Sequence, residues 1–334
     1  MSKYRAGIIG LGKIGFTYGL DKKREQPASH SIALKNHPSI LVDGGFDIDR
    51  KRLLKWKKYF PESRIYGSLK EMLGDGHWDI LVVAVNEENH YSVMIDVLRA
   101  SPSLIILEKP VAPSLKEALL IQKECKKAKI PVQVNHERRF SRDYQYLKSL
   151  IETKQYGRIK IINAYVLTPS VALMKGSCGR SALIRDGTHL VDIIRYLTDE
   201  DILIDTSFAG GKMNGGGFTG ISAIGKGKSF LCFLHFGYCI KPFVFEVEVI
   251  FEKGRVRIGN GVFEESRAIK SPYYEGFYSL IPSGKKNLFK KTGYFSGMVK
   301  NCVDFLEGRD GLLSPVEDGV EAMRIIEEIK RKMR

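Results

Sequence analysis

The sequence is poor in the features that would make it a disulfide-stapled, membrane-spanning or metal-thiolate protein. Its 334 residues include five cysteines, Cys125, Cys178, Cys232, Cys239 and Cys302. They are odd in number, scattered and without a Cys-x-x-Cys pair, so neither a disulfide framework nor a thiolate metal site is expected. No apolar run approaches the ~20 residues that cross a bilayer. The N-terminal Met-Ser-Lys-Tyr-Arg-Ala lacks the apolar core and cleavage signals of a secretory peptide. These absences point to the cytoplasm. No set of histidines and carboxylates has metal-ligand spacing, so no metal is expected. Acidic residues are the scarce charge: 38 Asp and Glu against 53 Lys and Arg leave a formal net charge of +15. Such an excess asks for an anionic partner. The basic residues nevertheless fall in dispersed clusters, at 22–24, 50–58, 123–129, 285–291 and 330–334, mostly on expected helix surfaces and outside any nucleic-acid module. Nucleic acid is therefore disfavoured, and a nucleotide cofactor and an anionic small substrate are the groups such a field would serve.

The length suffices for two domains, and the chain changes character near its middle. In the first half, short apolar strands alternate with helices. Strands are expected over 4–9, 40–46, 64–66, 80–85, 104–107 and 131–134, with helices over 50–60, 69–73, 91–99, 114–127 and 144–153. Strict alternation of this kind predicts a doubly wound parallel sheet. The second half reads as strands over 158–167, 202–208, 218–224, 229–236, 243–251 and 255–258, with one helix over 181–197 between the first two. The expectation there is an α+β domain with a large, mostly antiparallel open sheet, covered by helices on one face. The uncovered face needs a partner, which predicts a homodimer or homotetramer.

Chemistry gathers at strand ends. The first strand runs into Gly10-Leu11-Gly12-Lys13-Ile14-Gly15, a G-x-G-x-x-G placed between a strand and a helix-like continuation. Gly10 permits the tight turn, Gly12 lets backbone approach a pyrophosphate, and Gly15 allows close packing, with Lys13 and Ile14 completing the loop. The second strand ends in Asp47, suited to accept hydrogen bonds from an adenosine ribose. NAD is thereby favoured, while Arg50 and Lys51 leave NADP open. Asp47 comes late because the polar segment from Gly19 to Ser29 interrupts the first helix, which resumes over 30–36. That segment is either a lid or a long loop. The fourth strand ends in the polar cluster Asn86 to His90. The fifth, Leu104 to Leu107, stops at Glu108-Lys109-Pro110. In an open parallel sheet, ligands collect at such carboxyl ends, so Lys109 is the first residue to suspect of chemistry.

These landmarks, together with Asn135-His136-Glu137-Arg138-Arg139-Phe140 and Asp186-Gly187-Thr188-His189-Leu190-Val191-Asp192, make the chain resemble the Gfo/Idh/MocA oxidoreductases over nearly its whole length. The resemblance implies a Rossmann domain over 1–135 and a substrate and oligomerisation domain over 136–334, whose terminal helices, 295–306 and 316–332, can pack back on the first. It implies an NAD(P)-dependent enzyme passing a hydride between the cofactor and a secondary alcohol or ketone of a sugar, cyclitol or nucleotide sugar. By position, Lys109 looks like the family's active-site lysine and His189 like its general base. The cofactor would be held by Gly10, Gly12, Lys13, Ile14, Gly15, Asp47, Asn86, His90, Glu108 and Lys109. The family's usual aspartate position before the histidine is Arg185 here, so either Asp186 or Asp192 supports His189. Arg185 itself, with His136, Arg138 and Asp192, is a candidate for substrate contact, and its planar fork suits a carboxylate or phosphate. Two other functions fit the same resemblance, a non-catalytic NAD-sensing regulator or scaffold and a glycosidase that retains its NAD. Retention of Lys109 and His189 argues against the first, and net NADH formation separates the second from a dehydrogenase. The aromatic group Tyr273, Tyr274, Phe277 and Tyr278 could line a sugar pocket or an oligomer contact.

Overall fold

A computed structural model of the chain describes residues 3–169, 183–212, 218–284 and 291–333. Cys178, the first two residues of the helix expected over 181–197 and most of the basic run 285–291 lie outside them. Two compact units result, Met1–Ser141 with Lys291–Met323, and Arg142–Lys290 with Arg324–Arg334.

The first unit holds the strands β1 (Tyr4–Ile9), β2 (Ile40–Phe46), β3 (Arg64–Ile65), β4 (Ile80–Val83), β5 (Leu104–Leu107) and β6 (Val132–Val134). Its helices in that stretch are α1 (His30–Lys35), α2 (Arg50–Tyr59), α3 (Leu69–Leu73), α4 (His90–Arg99) and α5 (Leu115–Ala128). All pairings are parallel, in the order β3-β2-β1-β4-β5-β6. Every residue of β4 and β5 is buried, as expected where helices cover both faces of a sheet. Local signals set the helix starts: the Ser68 and Ser114 side chains accept the backbone N–H groups of Glu71 and Glu117, and Asp49 accepts that of Lys51.

The second unit begins with α6 (Arg142–Glu152), β7 (Ile159–Pro169) and α7 (Gly187–Thr198). It continues through β8 (Leu203–Lys212), β9 (Phe218–Lys226), β10 (Leu231–Ile240), β11 (Val244–Phe251), β12 (Gly254–Gly259), β13 (Val262–Lys270) and β14 (Tyr278–Pro282). These eight strands form one sheet in the order β14-β13-β12-β11-β7-β10-β9-β8, with only β7 and β10 parallel. β13 and β14 go beyond the strands expected from sequence. Burial alternates along all of β11 and along β7 from Ile161 onward, so one face is packed and the other is open. The open face carries Leu203, Phe208 and Leu231, each 47% exposed or more.

Two helices close the chain, α8 (Tyr294–Leu306) and α9 (Val316–Arg331). α8 sends Phe295, Met298, Val299, Cys302 and Val303 into the same core as β1, β4 and β5. Fully burying an apolar side chain contributes ~1.5–3 kcal/mol, so this late helix is integral to the first unit. Within this unit Arg139 Nη1 donates to Leu313 O and to Asp318 Oδ2, both at 2.7 Å, and so ties the turn after β6 to the α8–α9 link and the start of α9. Among the described residues no helix is long and apolar enough to cross a membrane, and no group of His, Cys, Asp or Glu is arranged to hold a metal ion.

Candidate active site

β1 lies between β2 and β4, so the chain leaves it at the point where strand order reverses, the usual ligand crevice of such sheets. The glycine loop is built for that place. Gly10 has φ +96°, and a Cβ there would stand 2.5 Å from Ala84 O; a Cβ on Gly15 would stand 2.0 Å from Gly10 O. Gly12 is different, because a Cβ there would meet only Arg52 Nη1, at 3.6 Å. Packing does not require glycine at Gly12; an open approach to its backbone does. The N–H groups of Gly12, Lys13, Ile14 and Gly15 donate to no acceptor among the described residues. A run of unused backbone donors beside a bare glycine fits a pyrophosphate, and a dinucleotide is the group these residues suit. Lys13 is exposed and Ile14 half-buried.

Asp47 follows directly on β2. Its Oδ2 accepts Leu11 N–H at 2.7 Å and its Oδ1 accepts Asp49 N–H at 2.7 Å, so the carboxylate braces the glycine loop. A nearby cation is Arg52, with Nη1 3.8 Å from Asp47 Oδ2; it neighbours Arg50 and Lys51, the cations that the sequence suggests. Asn86 is exposed at the start of a short 3₁₀ turn. His90 is buried, with ring nitrogens 3.1 Å from Val111 O and 3.2 Å from Val85 O. It clamps the two strand-end loops together, and burial holds its imidazole below the usual range despite those carbonyls.

The end of β5 carries the densest chemistry. Glu108 is turned into the core, where its Oε1 lies 2.7 Å from His30 Nε2 and 2.6 Å from Asn135 Nδ2, and its Oε2 accepts Lys109 N–H at 3.2 Å. Burial alone would push this carboxyl up; the hydrogen bonds from His30 and Asn135 and the positive charges of His30 and Lys109 outweigh it and hold Glu108 below the usual carboxylate range. Lys109 itself is half-buried at the strand end. Beside it, Glu137 in the 3₁₀ turn after β6 behaves oppositely: burial pushes its carboxyl above the usual range, against the opposing charges of Arg138 and Lys109. His136 and Arg138 are both buried, and His136 Nδ1 lies 3.2 Å from Ser314 Oγ. His30 is unmarked in the sequence, and Asn135 and Glu137 figure there only as members of the 135–140 motif, not as site residues. The position of Asn135 and Glu137 after a parallel strand was a usable signal; for His30 there was none.

In the second unit the remaining candidates share the start of α7. Gly187 opens the helix against β10 and α9, where a Cβ would come 3.0 Å from the Phe236 ring and 3.2 Å from Ile326 Cδ1. The close fit seats the first turn deeply, and His189 and Asp192 are buried there, the latter to 1% exposure. Asp186 occupies the N-cap position but makes no side-chain capping bond. It and Arg185 are half-buried. Asp186 and Asp192 flank His189 at three residues on either side, a spacing that puts helical side chains on one face.

Residues 4–136 match the family model described as "Oxidoreductase family, NAD-binding Rossmann fold", of the Gfo/Idh/MocA group. The chain is 24% identical over 199 residues to a myo-inositol 2-dehydrogenase of Thermotoga maritima, covering 59% of this chain and 56% of that protein. It is 26% identical over 207 residues to an inositol 2-dehydrogenase of Corynebacterium glutamicum, covering 61% and 57%. The match thus spans a little over half the length of these curated relatives. The fold is shared with the WlbA dehydrogenase of Bordetella pertussis, crystallised with NADH and UDP-GlcNAcA, at a TM-score of 0.77 and 18% identity, over 99% of this chain and 95% of that one.

Proposed function

We propose that the chain, whose residues 4–136 match the oxidoreductase family model with its NAD-binding Rossmann fold, is an NAD-dependent dehydrogenase of secondary alcohols of the Gfo/Idh/MocA kind. The observation that carries this reading is the strand-end arrangement at Lys109: its backbone N–H is held by the buried carboxylate of Glu108, whose pKa its charge helps to lower, two strands away from a glycine loop whose N–H groups await phosphate oxygens. The nicotinamide, when bound, supplies the hydride acceptor. The chain's own residues do the rest. Gly12 to Gly15 hold the pyrophosphate, and Asp47 accepts from the adenosine ribose, which favours NAD over NADP. Lys109 stabilises the oxygen on which negative charge develops. His189 takes the hydroxyl proton, a task suited to an imidazole near neutral pH. Of the two candidate supports, Asp192 is favoured over Asp186 because a carboxylate so deeply buried is costly unless it is paired. The substrate is a cyclitol, sugar or nucleotide sugar, in keeping with the relatives' names. An anionic one is favoured by Arg185, by Arg138 and by the net charge of +15.

The working form is a homo-oligomer joined through the open face of the eight-stranded sheet. Its β8–β10 half presents Leu203, Phe208 and Leu231, while its β11–β13 half carries the ion pairs Arg257–Glu246, Arg255–Glu248 and Arg255–Glu264. A two-fold partner would cover these exposed apolar side chains.

The test is a titration of NADH fluorescence followed by a screen of cyclitols, sugar acids and nucleotide sugars, recording absorbance of the reduced cofactor. Binding of NADH and net reduction of NAD by one of these classes are expected. Lys109→Ala and His189→Ala should each lower turnover by ~10²-fold or more while NADH still binds. Absence of NADH binding, or full turnover in both variants, would defeat the proposal.

A further inference from the structure

His30 has so far entered only as a partner of Glu108. It opens α1, is fully buried, and meets the Phe295 ring edge-on at 5.2 Å between centroids. Its two ends reach different parts of the site. On the backbone side, His30 N–H donates to Ile14 O at 3.1 Å, and the next residue repeats the attachment twice: Ser31 N–H and Ser31 Oγ both donate to Gly15 O, at 3.0 and 2.7 Å. Trp56 Nε1 donates to that same Ser31 hydroxyl at 3.0 Å. The start of α1 is thus riveted to the second half of the glycine loop. On the side-chain side, His30 Nε2 lies 2.7 Å from Glu108 Oε1, and the other carboxylate oxygen of Glu108 holds the backbone N–H of Lys109.

We propose that His30 is a positioning residue that ties the phosphate-binding loop to Lys109 through Glu108. The inference rests on the reading of Lys109 as the group beside the reacting oxygen. Its physical basis is the cost of the arrangement. An ionised carboxylate taken fully out of water loses several kcal/mol of hydration, and a well-packed apolar pair in its place is often as stable or more so. Polar groups of this kind, retained in a core, fix one geometry against its alternatives. Here the geometry fixed is the exit of β5. Asn135 supplies a second donor to Glu108 Oε1 at 2.6 Å, and its own N–H donates to Leu107 O at 2.8 Å. The carboxylate is therefore held from α1 and β6 at once, and the Lys109 backbone hangs from its free oxygen. A ligand that orders Gly12 to Gly15 will in consequence order residues 108 and 109, whether or not it touches them.

Amide hydrogen exchange on the whole chain tests the link. His30→Leu removes the donor and keeps a buried apolar side chain, whereas His30→Gln can present an amide N–H near the position of Nε2. In ligand-free protein, exchange over residues 104–112 should quicken by about tenfold or more in His30→Leu and stay near wild type in His30→Gln. Exchange over 80–83, on the adjacent strand, should be unchanged in both. ADP-ribose, which has the pyrophosphate but no nicotinamide, should slow exchange over 104–112 in wild type and His30→Gln and not in His30→Leu. Equal exchange over 104–112 in wild type and His30→Leu overturns the proposal, as does equal acceleration in the two variants. If ADP-ribose fails to protect residues 10–16 in wild type, the cofactor reading falls, and the ligand-free comparison still decides the link. Should His30→Leu not fold, Glu108→Gln takes its place with the same expectation.

Discussion

Three glycines in one loop, asked the same question, should answer differently. Alanine at Gly12 brings a methyl group to within ordinary contact of a single atom, Arg52 Nη1 at 3.6 Å, on an exposed and flexible side chain. The backbone there is not in the left-handed region, so the substitution costs the fold nothing and, by restricting the unfolded chain, should stabilise it by ~0.4–1 kcal/mol. Alanine at Gly15 puts its methyl 2.0 Å from Gly10 O, a backbone atom that moves only if the loop opens. Overpacking against backbone costs about 1–3 kcal/mol or more, so Gly15→Ala should lose at least that much. Gly10→Ala adds the left-handed φ of +96° to a 2.5 Å clash with Ala84 O and should be no milder. Binding separates the cases further. At Gly12 the added methyl fills the space a pyrophosphate must enter, and its exclusion should weaken NADH binding by tenfold or more, ~1.4 kcal/mol. Gly12→Ala is therefore expected to be as stable as wild type in urea and defective in NADH fluorescence titration, while Gly15→Ala fails both measurements. If Gly12→Ala binds NADH normally, the loop is not the phosphate site. If Gly15→Ala melts like wild type, the close approach to Gly10 is not what requires glycine at that position.

Other features make separable predictions. The segment between Gly19 and Ser29 is latched to α8, because Glu25 accepts Thr292 N–H and Oγ1–H and Gly293 N–H at 2.8 to 3.0 Å. Glu25→Ala should cost ~1 kcal/mol, as loss of a helix cap does, and should expose residues 21–27 to limited proteolysis. At the far end of β1, Asp75 receives the Tyr66 hydroxyl and the guanidinium groups of Arg5 and Arg64, which hold its carboxyl below the usual range. A depressed carboxyl stabilises the fold above its unfolded pKa, and that contribution disappears as pH falls through the folded value. The stability gap between wild type and Tyr66→Phe, read by urea melts, should accordingly close as pH drops below about 4. Cys125 is buried and its thiol pushed up to about 12, and burial raises Cys232 and Cys302 as well. Iodoacetamide at pH 8 should modify these three only in denaturant, by peptide mass mapping.

What the sequence discloses, and what it hides, follows from how local each signal is. The runs Ile80–Val83 and Leu104–Leu107 declare buried parallel strands because helices cover both faces and nothing polar is tolerated on either. Their ends declare candidate chemistry for the same reason: Glu108 and Lys109 follow four apolar residues abruptly. β13 is hidden because Glu264, Glu265, Arg267 and Lys270 break any alternation within it. Glu265 is nonetheless buried, satisfied by the hydroxyls of Tyr146 and Tyr156, which lie 119 and 109 residues earlier. The same holds at the centre of the site. Asp47 is legible as an acid at a strand end, but the sequence does not say that its oxygens are shared with Leu11 and Asp49. Glu108 reads from sequence as a group that either orients Lys109 or contacts the cofactor, and the sequence does not say that its carboxylate meets a histidine 78 positions away, across an insertion that displaces that histidine from the glycine motif it supports. Periodicity reports which face of an element is buried and is silent on which polar groups meet there. A residue such as His30, which acts by joining two elements rather than by ending one, therefore leaves no trace in the order of residues around it.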